Sequence, residues 1–315
     1  MNKKRQKHDP RPGYWTDPSG LTLIRKTADS RIYIAKGDDE YIIKEYFIPG
    51  IAENEYKILC SLKKNNYKYI PGVFLREKGN RTFLIEKAIK GDPIKLETAG
   101  PDDLDLLCRS LAGLHRIRQT GKKKLGGFLN KGLSIVKKGL DEIKSCMETL
   151  SFKDLRKLHM RLKRYFHTFE NLPLLRKIKH RKIRYSMVHG TLQTGHLIRQ
   201  KNRIYLIDWE SGGFGDPLYD LACLLKQLTA KNRKLFLKTY QNTLNVTDDP
   251  ASSRIQIYQL LSLFIKTASA MINLMTYRPF AYYNALYDTA QKNSLIHDLE
   301  MIRKGLGVFQ LPRSR

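Results

Sequence analysis

The chain has 315 residues, 41% hydrophobic and 10% aromatic. That is enough apolar material for two units with cores of their own, and it excludes a wholly disordered polypeptide. Four cysteines at positions 60, 108, 146 and 223, without a C-x-x-C pair, exclude a zinc ribbon or a disulfide framework and predict small buried residues in a reducing, cytoplasmic compartment. The net charge of +28 exceeds the magnitude of roughly 2–8 that solubility asks of a small domain. It predicts polyanionic surroundings such as nucleic acid, an anionic polymer, a membrane surface or phosphorylated ligands.

Residues 1–20 combine cations with Pro10, Pro12, Pro18, Gly13 and Gly20 and predict a flexible basic arm. The stretch MNKKRQKHDPRPG has no apolar core after its charges, so no secretory signal is expected. Residues 21–90 predict a small antiparallel sheet. Leu21–Ile24, Arg31–Ala35 and Tyr41–Lys44 read as short strands, with a turn at 36–39; Val73–Leu75 and Thr82–Glu86 read as another pair around a turn at 78–81. Lys44 sits on a strand whose other residues are apolar or aromatic. The helix expected from about Ala52 to Lys64 puts Glu55, Leu59 and Leu62 on one face. A strand lysine and a glutamate on the next helix can form a pair that holds phosphates. Glu55 is the preferred partner and Glu53 the alternative.

A second, mainly helical unit is expected over 91–315. Leu104, Leu107, Leu111 and Leu114 predict a helix over 102–118, started by Pro101 and acidic residues; His115 near its end reads as a structural histidine. Two amphipathic helices follow in 130–170, one lined by Leu133, Val136, Leu140, Ile143, Met147 and Leu150, the other by Leu155, Leu158, Leu162, Phe166 and Phe169. Cations are dense across 153–184, and within 176–184 only Ile178, His180 and Ile183 are neither Lys nor Arg. This run reads either as a solvated face or as a docking surface for an anionic partner or phosphorylated ligand. No helix-turn-helix, zinc-finger or RNP signature accompanies it and aromatics are sparse, so nucleic-acid binding would rest on charge alone.

From Val188 the sequence reads VHGTLQTGHLIRQKNRIYLIDWESGGFGDPLYDLACLL. A strand-like run, Arg203–Ile207, ends at Asp208; a glycine-rich loop, Pro217 and a helix carrying Asp220 follow. An acid held at a strand end beside loops that let backbone approach a ligand suits a phosphate–metal site. Residues 218–244 read as helix. Residues 254–276 are strongly apolar, but Lys266 and Asn273 interrupt them, which predicts a buried helix rather than a transmembrane segment. Tyr277, Phe280, Tyr282, Tyr283 and Tyr287 are expected to pack on that helical unit, and the tail from Arg303 is again basic.

His189, Gly190, Asp208, Trp209, Glu210, Gly215, Asp216, Pro217, Asp220, Leu221 and Ala222 occur in the order and spacing of the pattern H-G-D-x-x-x-x-N … I-D-W/F-E … G-D-P-x-x-D-L-A. The chain therefore resembles the aminoglycoside phosphotransferase and choline kinase family, relatives of the protein kinases. The resemblance implies an α+β, bilobal, protein kinase-like fold that uses ATP and Mg²⁺. It implies that Asp208 binds the metal, that Lys44 and Glu55 steady the phosphates, and that His189 organises its loop. Asp220 would accept hydrogen bonds from backbone N–H groups of the loop, with Asp216 capping the next helix. The turn at 27–30, which covers the phosphates in the family, lacks glycine here and leaves Ser30 and backbone N–H groups as donors. Glu86 ends the hairpin leading into 87–91, which resembles the family's link between lobes, where backbone meets adenine; it joins Lys44, Glu55 and Ser30 as a nucleotide-site residue.

Two positions depart from the pattern, and both are chemical. Thr191 stands where the family has its catalytic Asp, and His196 where it has the metal-binding Asn. Threonine is no base near neutral pH, and imidazole suits zinc or manganese better than magnesium. The H-G-x-L-x-x-x-H arrangement is similar to spore-coat-associated members of the family, which implies a spore-coat location. Three functions follow from these readings. One is a nucleotide-binding but catalytically impaired kinase-fold component of an assembly. Another is an active small-molecule phosphotransferase with Glu210 as the replacement base. The third is a binder of anionic polymers or nucleic acid on the same scaffold.

Overall fold

The computed structural model describes residues 21–26, 30–36, 39–78, 81–149, 153–244, 253–276 and 285–310. The expected basic arm, the turns at 27–29, 37–38 and 79–80, the aromatic residues 277–283 and the end of the basic tail lie outside them. The chain divides into two compact units, Met1–Lys90 and Gly91–Arg315.

The first unit is an antiparallel sheet of β1 (Leu21–Lys26), β2 (Ser30–Ala35), β3 (Tyr41–Tyr46), β4 (Val73–Lys78) and β5 (Arg81–Lys87), in the order β1-β2-β3-β5-β4. Helix α1 (Ile51–Lys64) packs on β3, β4 and β5. Successive side chains of a strand point to opposite faces, and β3 uses both. Tyr41 and Ile43 join Ala35 and Ile85 in a buried cluster. Lys44 and Tyr46 share the opposite face and reach α1, whose Ala52, Leu59 and Leu62 are fully buried.

The second unit opens with β6 (Asp92–Pro93) and α2 (Pro101–Arg116), which has Pro at its first position. Then come β7 (Lys123–Lys124), α3 (Leu125–Thr149), α4 (Lys153–Glu170), α5 (Pro173–Lys179), β8 (Lys182–Ile183) and β9 (Ser186–Val188). Strands β10 (Leu197–Gln200), β11 (Arg203–Leu206) and β12 (Gly213–Gly215) lead to α6 (Leu218–Leu225), α7 (Ala230–Leu244), α8 (Ser253–Thr276) and α9 (Ala285–Gln310). Three small sheets carry the loops: β11-β10-β6, β12-β9 and β7-β8. Helix α2 packs on α7, β9 and β11, so one helix supports both strands that flank the glycine-rich loops.

Three points differ from, or add to, the sequence reading. The single helix expected over 218–244 is two, α6 and α7, because the chain turns at 226–229, where Gln227 is used as a loop clamp described below. The basic run 176–184 overlaps the end of α5, whose Leu175 and Ile178 are buried while Arg176 and Lys177 are exposed. Among the cysteines, Cys108 and Cys223 are buried, but Cys60 and Cys146 are only half-buried. Burial pushes the Cys223 thiol up to about 12. The apolar stretch Ser253–Ile272 of α8 is long and apolar enough to cross a membrane, and 56% of it is buried inside the protein. It packs on α3, α6 and α9, with Ile257, Tyr258, Phe264 and Met271 at 0% exposure.

Candidate functional site

In the first unit, Lys44, Glu55 and Glu86 meet. The Lys44 ammonium lies 2.8 Å from Glu55 Oε1 and 3.6 Å from Glu86 Oε2, with all three side chains buried. Tyr46 OH donates to Glu55 Oε2 at 2.7 Å. Residues 44 and 46 share a strand face and Glu55 rises from the helix above it, so strand period and helix docking together build the cluster. Burying charges costs several kcal/mol per ion unless they are paired and hydrogen-bonded; here a cation is held between two carboxylates and a phenol. Glu53, the alternative partner, lies instead near Thr82, whose hydroxyl is 3.4 Å from Glu53 Oε1. Ser30 is buried at the start of β2, opposite Tyr46.

In the second unit the loop after β9 is held by Asp220. Its two carboxylate oxygens accept the backbone N–H groups of His189 (2.8 Å) and Gly190 (2.9 Å), and His115 Nε2 lies 3.1 Å from Oδ2. The other ring nitrogen of His115 is 2.5 Å from Tyr240 OH. Burial would raise the Asp220 pKa, but the His115 hydrogen bond and the charges of His115 and His189 hold it below the usual carboxylate range. Gly190 has φ +90°, and a Cβ there would stand 2.3 Å from Ser211 O, so both backbone conformation and space require glycine. The His189 ring turns away from the loop, with Nε2 2.8 Å from Ile207 O and the ring centroid 4.6 Å from that of buried Trp209. Histidine 189 is thus a brace between the loop and the strand end that presents Asp208.

Gln227 closes the loop from below. Its Oε1 accepts Thr194 N–H (2.9 Å), and its Nε2 donates to Leu192 O (3.2 Å) and Cys223 O (2.8 Å). Asp216 is fully buried under the start of α6, accepting from Leu218 N–H (3.1 Å) and Tyr258 OH (2.8 Å), with Arg254 at 3.4 Å. Burial raises its pKa more than Arg254 and these hydrogen bonds lower it. His115, Tyr240, Gln227, Tyr258 and Arg254 were not assigned these duties from sequence, since each acts across more than 30 positions or from a turn. Tyr46 was recoverable, because period two puts it on the face of Lys44.

The hairpin β10–β11 brings one of the two departures, His196, beside Asp208. His196 immediately precedes β10 and Asp208 lies just after β11, and Ile207 N–H donates to His196 O at 3.1 Å. His196 Nε2 consequently sits 3.3 Å from Asp208 Oδ2, with side-chain exposures of 10% and 28%. Gln193 Nε2 is 2.9 Å from the same imidazole nitrogen. Asp208 has φ +69°, a left-handed conformation that Asp and Asn tolerate better than most residues. Thr191 is half-buried and Glu210 exposed. Tested against Mg²⁺, the donors are mismatched: the Asp208 carboxylate fits a hard ion, whereas His196 offers nitrogen where such an ion takes oxygen.

A small sheet covered by one helix, followed by a mainly helical unit with a braced H-G loop and an acid at a strand end, defines the kinase-like class. The chain belongs to the phosphotransferase enzyme family, whose model matches residues 21–255. It is similar to Protein LicA of Haemophilus influenzae (strain ATCC 51907 / DSM 11121 / KW20 / Rd), 34% identical over 59 residues, which are 18% of this chain and 22% of that protein. The match thus spans about a fifth of that curated relative. Among solved structures, amicoumacin kinase hAmiN in complex with AMP-PNP, Ca²⁺ and Ami aligns with TM-score 0.61 at 12% identity, covering 91% of this chain and 89% of that one. Choline kinase from Cryptosporidium parvum Iowa II gives 0.60 at 15%, covering 94% of each chain. Choline kinase LicA from Streptococcus pneumoniae gives 0.57 at 17%, covering 89% and 93%. At these identities the likeness is one of fold.

Proposed function

We propose that this chain is a nucleotide-binding, kinase-fold protein whose phosphotransfer is impaired, acting as a binding component of an assembly such as the spore coat. The observation that carries this reading is the loop after β9. Its scaffold is complete, with Asp220 and Gln227 on its backbone, yet the residue after Gly190 is Thr191 rather than a carboxylate. Thr191 cannot accept a proton from an acceptor hydroxyl near neutral pH. General-base catalysis contributes about 10²–10⁴ in rate, although phosphoryl transfer leans chiefly on positioning and electrostatics. Lys44, steadied by Glu55 and Glu86, serves as the phosphate-binding cation of the first unit. Asp208 and His196 serve as the metal ligands of the second. The spore-coat placement is supported by the H-G-x-L-x-x-x-H arrangement.

The anionic partner is proposed to dock on the basic face of the second unit. The fold enlarges that face: β7 pairs with β8, setting Lys124 directly across from Lys182, a like-charge pair that is unfavourable without a counter-anion. Lys122, Lys123, Arg181 and Arg184 beside them are also exposed. The sequence holds no Asp or Glu from 106 to 140 or from 171 to 207. A second reading, an active hydroxyl phosphotransferase with Glu210 as base, is favoured by the exposure of Glu210 two residues beyond Asp208.

Thermal unfolding with and without ATP, paired with a turnover assay, tests the proposal. A ligand at about 100 times its dissociation constant stabilises a fold by about 2.7 kcal/mol, so ATP with a divalent ion should raise the Tm while turnover stays near background. Robust phosphorylation of a hydroxylated acceptor, abolished in Glu210→Gln, would transfer the conclusion to the second reading. No nucleotide effect on Tm would remove the first.

A further inference from the structure

We infer that a quartet of cations on the β7–β8 ribbon, Lys122, Lys124, Lys182 and Arg184, is a binding site for a linear inorganic polyphosphate. The inference rests on the docking face proposed above and names its ligand.

The strand register sets the four charges. Strands β7 and β8 pair antiparallel, with Lys123 opposite Ile183 and Lys124 opposite Lys182; continuing the count by one residue brings Lys122 beside Arg184. Residues directly opposite each other, and residues two apart along a strand, share one face of a ribbon. The four cations therefore stand at the corners of a rectangle about 5 Å across the strands and about 7 Å along them. All four are exposed, and among the described residues none has a hydrogen-bond or ion-pair partner for its side chain.

Like charges directly opposite each other destabilise a strand pair, yet this ribbon is braced. Tyr185 OH donates to Lys124 O at 2.7 Å and accepts from Phe128 N–H at 3.2 Å. Gln119 N–H donates to Tyr185 O at 2.9 Å, and Met187 N–H donates to Ile117 O at 2.7 Å. The backbone thus holds four repelling cations in place before any anion arrives, and an anion that neutralises them also relieves the ribbon.

The surroundings of the quartet select among anions. Single-stranded nucleic acid is held by aromatic side chains on which its bases stack, whereas Tyr185, the aromatic residue of this ribbon, is buried with its hydroxyl engaged. A membrane surface is met by cations interleaved with exposed apolar side chains. Within 118–124 and 180–184 the apolar residue is Ile183, which is half-buried. In inorganic polyphosphate consecutive phosphates share one bridging oxygen, so several negative charges fall inside the rectangle. On a nucleic-acid strand a sugar separates them, and fewer fit. Dense charge without bases or acyl chains is what the quartet matches.

Binding of end-labelled inorganic polyphosphate to the full chain, followed by fluorescence anisotropy as salt is varied, tests the inference. Wild type should bind saturably. With four phosphate contacts and a slope of about 0.7 per contact, as for single strands, affinity should fall roughly 50-fold between 50 and 200 mM salt. Lys122→Gln, Lys124→Gln, Lys182→Gln and Arg184→Gln combined should weaken binding about 10-fold or more at the lower salt and reduce the salt slope by about 3. Arg156, Lys157, Lys163 and Arg164, exposed on α4, provide the control. Their combined change to Gln removes the same charge and should alter affinity less than about 3-fold. An unchanged circular dichroism spectrum in both variants separates lost contacts from unfolding. Equal losses in the two variants would overturn the inference, since net charge would then explain the binding. It would also fall if single-stranded DNA with the same number of phosphates, or phosphatidylglycerol vesicles, bound as tightly as polyphosphate at equal salt; that result would leave the proposed docking face standing. Retention of none of the three polyanions would remove the docking face and the inference together.

Discussion

Changing Asp220 to Asn tests whether the loop after β9 depends on a single buried carboxylate. The side chain keeps its size, but one accepting oxygen becomes an NH₂ group, and Asp220 Oδ1 and Oδ2 each receive a backbone N–H, from Gly190 and His189, at 2.9 and 2.8 Å. One of those N–H groups must then face another donor, and His115, 3.1 Å away, loses its charged partner. Hydrogen bonds to charged groups are worth about 1.5–3 kcal/mol each, and two backbone donors converge on this one carboxylate. A net loss of about 3–5 kcal/mol is the reasonable sum, since the effects share one group. For a unit of this size, about 2–4 °C per kcal/mol translates this into a Tm drop of roughly 6–20 °C. The pH dependence carries the sign. The Asp220 pKa is depressed in the folded protein, so its stabilisation is fully present above the unfolded value of about 3.9. It is lost only as pH falls through the lower folded value. Differential scanning calorimetry of both proteins from pH 8 to pH 3 should therefore show a gap that is flat to about pH 4 and closes below it. A drop under about 2 °C, or a gap that closes near neutral pH, would show that the loop is held elsewhere.

Lys44→Met should destabilise the first unit by about 3–5 kcal/mol in chemical denaturation, because Glu55 and Glu86 are both left buried around an apolar side chain; Glu55→Gln, which leaves Lys44 its contact with Glu86, should cost less. Gly190→Ala should be more damaging than a surface substitution, since the new Cβ meets Ser211 O at 2.3 Å; amide hydrogen exchange should show lost protection confined at first to the loop and the Asp220 region. Burial lowers the His159 pKa, with Nε2 against Leu140 O at 3.2 Å. The folded protein thus favours neutral imidazole, and its contribution, complete above the unfolded pKa of about 6.5, is lost as pH falls below it. Wild type should accordingly lose more Tm between pH 7.5 and 5.5 than His159→Gln, and equal losses would refute that assignment.

What could be read from sequence follows the range over which each interaction acts. The strands, α1 and α2 and the Lys44–Glu55 pairing are set by period and by neighbours a dozen residues apart, so apolar alternation and helical spacing suffice. The H-G, D-W-E and G-D-P elements were legible because a loop that must hold backbone at fixed positions tolerates few residue types, Gly190 being the plainest case. His115, Tyr240 and Gln227 were not legible in these roles. Their duties depend on how α2, α6 and α7 pack, and a histidine near a helix end or a glutamine in a turn carries no local mark of a buried partner. The turn at 226–229 was missed for a related reason: residues 218–244 stay helix-compatible by propensity, and only tertiary use of Gln227 favours the break.

The two altered positions differ in what the fold adds to them. For Thr191 the sequence already states the whole chemical consequence, since no packing turns a hydroxyl into a base at neutral pH. For His196 the sequence offers only an imidazole in place of an amide, and the outcome depends on what it faces. The hairpin register brings it to 3.3 Å from Asp208, and Gln193 sits against the same nitrogen. The Asp220 hydrogen bonds to the His189 and Gly190 N–H groups use neither side chain, so the backbone of the loop is held in the same way whatever residue stands at 191 or 196.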